Sequence, residues 1–105
     1  SFPTRRSSDL TILDEILQNN NIQKVDLLKI DAEGAEYPIL LNTSPQTLQK
    51  INKIILEYHD YLGHGYTYQD IQKHLETNGF KVERNASLYR RNVLKMGILT
   101  ARRIH

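Results

Sequence analysis

The sequence has no cysteine and no tryptophan, and only one methionine and three prolines among its 105 residues. Without cysteine there is no disulfide framework, no thiolate metal site and no cysteine nucleophile, and the chain fits a reducing compartment. Long hydrophobic runs are also missing. The longest, Ile54-Ile55-Leu56 and Ile39-Leu40-Leu41, suit a core, whereas a membrane span needs roughly 18 to 20 apolar residues. The N-terminus has no charged segment followed by an apolar stretch, so it does not read as a signal peptide. Charge of one sign is lacking as well: the formal net charge is +2, too small to argue for a nucleic-acid partner. These absences lead us to expect a cytoplasmic protein with no membrane span. They leave its oligomeric state open.

What is present is ordinary globular usage, 39% hydrophobic and 25% charged, in a length that allows one domain or part of one. The first ten residues stand apart. Ser1-Phe2-Pro3-Thr4-Arg5-Arg6-Ser7-Ser8-Asp9-Leu10 has no initiator Met and no apolar period. It reverse-translates without a break into a common sequencing adapter. We read 1–10 as an artefactual tag to be left out of fold reasoning. On that reading the protein proper is 11–105, and whatever preceded Thr11 is missing.

Beyond the tag, Thr11 and Asp14 resemble a capping pair ahead of Ile12, Leu13, Ile16 and Leu17 at helical spacing, which predicts a helix over 12–19. Val25 to Ile30 reads as a strand apolar on both faces, as in a buried parallel sheet. A helix is predicted at 35–42 with Pro38 in its first turn. Ser44-Pro45 opens a second short helix near 45–50. Residues 51–58 form the next strand, again apolar on both faces, and 59–66 a loop. Thr67 caps a helix carrying Ile71, His74 and Leu75, stopped by Gly79. Strands follow at 80–83 and 94–101, with a polar loop over 85–91. Helices between strands imply crossovers and a parallel sheet, while the last two strands, with no helix between them, should pair antiparallel. The expectation is a mixed α/β sheet.

The segment Lys29-Ile30-Asp31-Ala32-Glu33-Gly34-Ala35-Glu36 carries the chemistry. A strand delivers carboxylates at its C-terminal end and a glycine turn feeds a helix. Ligands of open α/β sheets bind beyond the carboxyl ends of the strands, which is where Asp31 and Glu33 fall. Glu36 complements the helix dipole as an N-terminal charge. The following strand ends in Glu57-Tyr58-His59-Asp60, so Asp31 and His59 should emerge on one rim if the strands are neighbours. Histidine is the commonest general base. Asp60 and His64 read as loop surface, His74 as packing, and Arg90, Arg91, Arg102 and Arg103 as solvated. Tyr58, Tyr61, Tyr66 and Tyr68 either line a pocket or sit at a domain edge. No P-loop or metal-ligand spacing stands out.

Val25 to Tyr37 resembles the signature of FkbM-type methyltransferases, with Ala32 where valine is more usual. Ile54-Ile55-Leu56-Glu57-Tyr58-His59 and Gly79-Phe80 are similar to later family blocks, and the resemblance runs in order over roughly 11–103. It implies a partial Rossmann-like class I methyltransferase sheet, mostly parallel with the final strand antiparallel, truncated at its N-terminus. It also implies methyl transfer from S-adenosylmethionine, chiefly to a hydroxyl oxygen of a small-molecule, glycan or lipid acceptor. Asp31 and Glu33 would line the crevice, Asp31 also facing the cofactor, and His59 would be the base. The family's Gly-rich first turn and ribose-binding acid would lie before Thr11, so the chain alone is expected to be inactive and to hold the cofactor poorly. Two alternatives remain: a small α/β binding module without chemistry, and a metal-dependent phosphatase-like hydrolase using Asp31 and Glu33 around a divalent ion.

Overall fold

The computed structural model describes residues 12–32, 36–60, 65–86 and 96–104. Among the described residues there are four helices and four strands, with helices between the first three strands. They are α1 (Ile12–Asn19), β1 (Leu28–Ala32), α2 (Glu36–Leu41), α3 (Pro45–Gln49), β2 (Lys53–His59), α4 (Tyr68–Thr77), β3 (Phe80–Asn85) and β4 (Met96–Arg103). The sheet order is β1-β2-β4-β3. β1 and β2 are parallel, and β4 runs antiparallel to both its neighbours. It follows that β3 runs the same way as β1 and β2, giving three strands one way and one against. The expected mixed α/β sheet is therefore present, and the last two strands pair antiparallel as predicted. β4 inserts itself between β2 and β3, so those two are not neighbours.

Local sequence explains most of the boundaries. Ser44, in extended conformation, accepts the Thr47 N–H on its hydroxyl and starts α3 with Pro45 next, where a missing N–H costs nothing. The Asp70 carboxylate accepts the Thr67 N–H at 2.9 Å and closes the start of α4. Gly79, at φ +90, lets the chain turn out of α4 into β3. Gly97 is needed for closeness: a Cβ there would lie 2.6 Å from the Tyr58 hydroxyl.

Three expectations change. The strand predicted at 25–30 becomes an isolated Val25–Ile51 bridge, then a bend, then β1 running on through Asp31 to Ala32. Val25 exchanges backbone hydrogen bonds with Lys50 and Asn52, and both chains bend just after this pairing, so the two strands restart together. Neither β1 nor β2 is buried on both faces. Ile54, Leu56 and Tyr58 are buried while Lys53, Ile55, Glu57 and His59 between them are not fully so. Lys29 and Asp31 are exposed between the half-buried Leu28 and Ile30. The cause is that the described helices pack on one side of the sheet. Finally, Arg103 is not simply solvated: its guanidinium donates to the carbonyls of Ile51, Asn78 and Leu48 and lies over the Phe80 ring.

The core lies between that sheet face and the helices: Ile54, Leu56 and Tyr58 of β2, Leu99 and Ala101 of β4 and Phe80 of β3 meet Tyr37, Leu40, Leu48, Ile71 and Leu75. Each such large side chain contributes about 1.5–3 kcal/mol by leaving water. α1 is fastened differently. Asp14, expected as part of a cap, is buried, and its carboxylate accepts from the Ser44 hydroxyl at 3.0 Å and from the Ser44 N–H at 3.3 Å. Thr11, its expected capping partner, lies outside the described residues.

Candidate functional site at the strand ends

In the parallel register Asp31 stands opposite Glu57, and Ala32, the last residue of β1, opposite Tyr58. His59 ends β2 one residue further on. Side chains alternate along a strand, so Asp31, Glu57 and His59 share the sheet face turned away from the described helices. His59 Nδ1 is 3.9 Å from the Asp31 carboxylate and His59 Nε2 is 3.9 Å from the Glu57 carboxylate. The imidazole is thus bracketed by two acids, one on each ring nitrogen. Its side chain is 12% exposed, while Asp31 is 58% and Glu57 42% exposed. A mostly sheltered imidazole flanked by two wet carboxylates is of the chemical type that serves as a general base. The same carboxylates can also face a cationic ligand. Donor atoms of the three residues lie within 4.8 Å of one another, so a divalent ion is a further candidate ligand of the set.

Behind the rim lies a second layer. Tyr37, in the first turn of α2, is fully buried. Its hydroxyl donates to Asp60 at 3.0 Å and accepts the His59 N–H at 3.0 Å. Asp60 also accepts the Tyr68 N–H at 2.9 Å. Burial, then the negative charge of Asp60, pushes the Tyr37 phenol well above its usual range, so it stays protonated as a donor. Burial also raises the Asp60 carboxyl, against the opposing hydrogen bonds from Tyr37 and the Tyr68 N–H. Tyr68 in turn stacks against Tyr58 at 4.9 Å and lies under the Arg84 guanidinium at 4.2 Å.

Asp31 and His59, both expected at the site, are brought together. Glu33, the third expected residue, lies outside the described residues, as do Tyr61, His64, Arg90 and Arg91. Asp60 is not loop surface: it is half-buried and twice hydrogen-bonded. Tyr58 belongs to the core. His74 is packed, as expected, with its Nε2 buried and without a partner among the described residues. In the sequence Glu57 stands out only as part of a strand end, and Tyr37 only as the end of the signature segment. The alternation Ile55, Glu57, His59 could have found Glu57. Nothing local marks Tyr37, whose partners lie more than twenty residues away.

The chain matches the model of the methyltransferase FkbM domain over residues 4–82. That span is well over half of the chain and includes β1, β2 and the whole candidate site. The chain belongs to the FkbM methyltransferase domain family. A 48-residue stretch, 46% of the chain, is 40% identical to part of the AMB antimetabolite synthetase AmbE of Pseudomonas aeruginosa, of which it covers 2%. The chain thus spans a small fraction of that curated relative's length. No solved structure matches it. Among the described residues no helix is long and apolar enough to cross a membrane.

Proposed function

We propose that the strand-end cluster serves methyl transfer from S-adenosylmethionine to a hydroxyl oxygen of a small-molecule, glycan or lipid acceptor. The observation that carries this reading is the placement of Asp31 and His59 side by side at the tips of two parallel strands, within the span that matches the family. The donor supplies a methyl group on a positively charged sulfur. Two carboxylates at the rim are chemically suited to such a cation, Asp31 being the residue we assign to it. The protein's task in this displacement is mainly to hold donor and acceptor in line. A hydroxyl acceptor must also lose a proton, and His59 is the base, its imidazolium flanked by Asp31 and Glu57. Glu33, which follows β1 in the sequence, is assigned to the same crevice. We take the sheet to be the C-terminal part of a Rossmann-like class I methyltransferase domain.

The test has two arms. Calorimetry of the 105-residue chain with S-adenosylmethionine should give no binding heat, while a longer polypeptide carrying the domain binds one equivalent. Tight stoichiometric binding by the chain alone would overturn the truncated reading. In the longer polypeptide, His59→Ala should lower methyl transfer about 10²–10⁴-fold, the usual worth of a general base, with donor affinity little changed. Undiminished transfer would remove His59 from the mechanism.

A second reading is favoured by the mixed donor set. Asp31, Glu57 and His59 could bind a divalent cation that acts as the electrophile, either in the transfer or in a hydrolysis. Magnesium and manganese titrations separate the two: activity in the presence of a strong chelator rules the second out.

A further inference from the structure

Tyr37 follows directly on the last carboxylate of the signature segment, and its hydroxyl is committed on both sides. The β1–β2 ladder ends at the Ala32–Tyr58 pair, and just beyond it the phenol oxygen of Tyr37 accepts the His59 N–H. On its other side it donates to Asp60, which also receives the N–H of Tyr68, the first residue of α4. One buried hydroxyl therefore ties the start of α2, the last residue of β2 and the start of α4 together.

We infer that Tyr37 is the positioning residue of the site, fixing the main chain of His59 so that its imidazole stays between Asp31 and Glu57. The inference rests on the reading of that cluster as functional, but its consequences do not depend on His59 being the base. The ring of Tyr37 fills core space, as a phenylalanine would; the oxygen alone does the positioning. The raised phenol pKa keeps that oxygen a donor to Asp60 over the whole working pH range.

The test uses the full chain and Tyr37→Phe, which removes one atom. Two quantities are read: amide hydrogen exchange of His59 relative to Leu56 in the same strand, and the three-bond couplings that report the χ1 rotamer of His59. Thr43→Val is the control. It removes another buried hydroxyl, one bonded to the Ile39 carbonyl at the far end of α2. Tyr37→Phe should raise the His59 exchange rate at least tenfold relative to Leu56 and average its rotamer couplings. Thr43→Val should change neither, whatever it does to the melting temperature. If Tyr37→Phe lowers the melting temperature but leaves both His59 readouts where the control leaves them, Tyr37 is a packing residue and the inference is wrong. Should Tyr37→Phe not fold, Asp60→Ala decides: it frees the far side of the phenol and should produce the same His59 signature at smaller amplitude, and an unchanged His59 would overturn the assignment. Methyl transfer enters none of these readouts, so a base other than His59 would show up in the activity assay and not here.

Discussion

Single atoms decide several features of this molecule. At Gly97 an added Cβ would fall 2.6 Å from the Tyr58 hydroxyl and 2.8 Å from the Ala86 Cβ. Gly97→Ala should therefore destabilise the chain by about 1–3 kcal/mol through overpacking, measured by urea denaturation. A neutral result would mean that the Tyr58 ring gives way freely. His74 sets a pH dependence. Burial lowers its pKa, whereas in the unfolded chain it titrates near the usual value of about 6.5. The unfolded state then binds more protons, so the contribution of His74 is full above that value and is lost as pH falls through the folded pKa. Asp60 runs the other way. Its raised carboxyl contributes most below the unfolded carboxyl range near pH 4 and loses that contribution as pH rises through the folded value, so it offsets part of the loss at the acid end. His74→Leu should flatten the fall in stability between about pH 7 and pH 5, followed by urea melts at each pH. A fall of unchanged slope would acquit the imidazole.

At the scale of elements, α1 is fastened by a buried carboxylate on a helix cap together with the apolar contacts of Leu13 and Leu17. Ile12 and Ile16 of α1 remain largely exposed, and Asp14 reaches the hydroxyl and N–H of Ser44. Asp14→Ala leaves those donors without their acceptor, at a cost of about 1–3 kcal/mol. Exchange protection should fall in α1 and α3 well before it falls in β2, and uniform loss across the sheet would contradict this hierarchy. Elements of this kind were legible in the sequence wherever punctuation was local: α3 and α4 start at Ser44 and Thr67, and Gly79 follows the end of α4 as read. The partner of Asp14 was not legible, because Ser44 lies thirty residues away. Neither was the one-sided burial of β1 and β2. A run such as Ile54-Ile55-Leu56 is apolar at every position, so it cannot report which face the helices cover. The rim itself was readable, since Asp31 falls next to the last residue of β1 and His59 ends β2. The tether through Tyr37 was not, because it joins two residues only once the sheet has closed.

For the whole molecule, the edges matter. β1 pairs with β2 on one side, and among the described residues no strand pairs its other side. Leu27, just before β1, is substantially exposed, as are Ile12 and Ile16, which line an apolar groove of about 230 Å³ with Leu28, Ile30 and Ile39. An open edge beside apolar surface is a template for association. The 105-residue chain should therefore self-associate at high concentration, and Leu27→Lys with Ile16→Lys should reduce this in sedimentation velocity runs. A monomer at every concentration tested would show that the edge is closed in solution. The opposite end of the sheet raises a question of timing. β4 comes last in sequence among the described strands yet occupies an interior place, so β3 has nothing to hold until it arrives. During synthesis at roughly 5–20 residues per second, the flank of β2 waits bare for seconds while the helices are already able to form. The newborn chain is an unlocked zipper over that interval, and its vulnerability to chaperone capture or misjoining belongs to the ribosome-bound stage rather than to the finished fold.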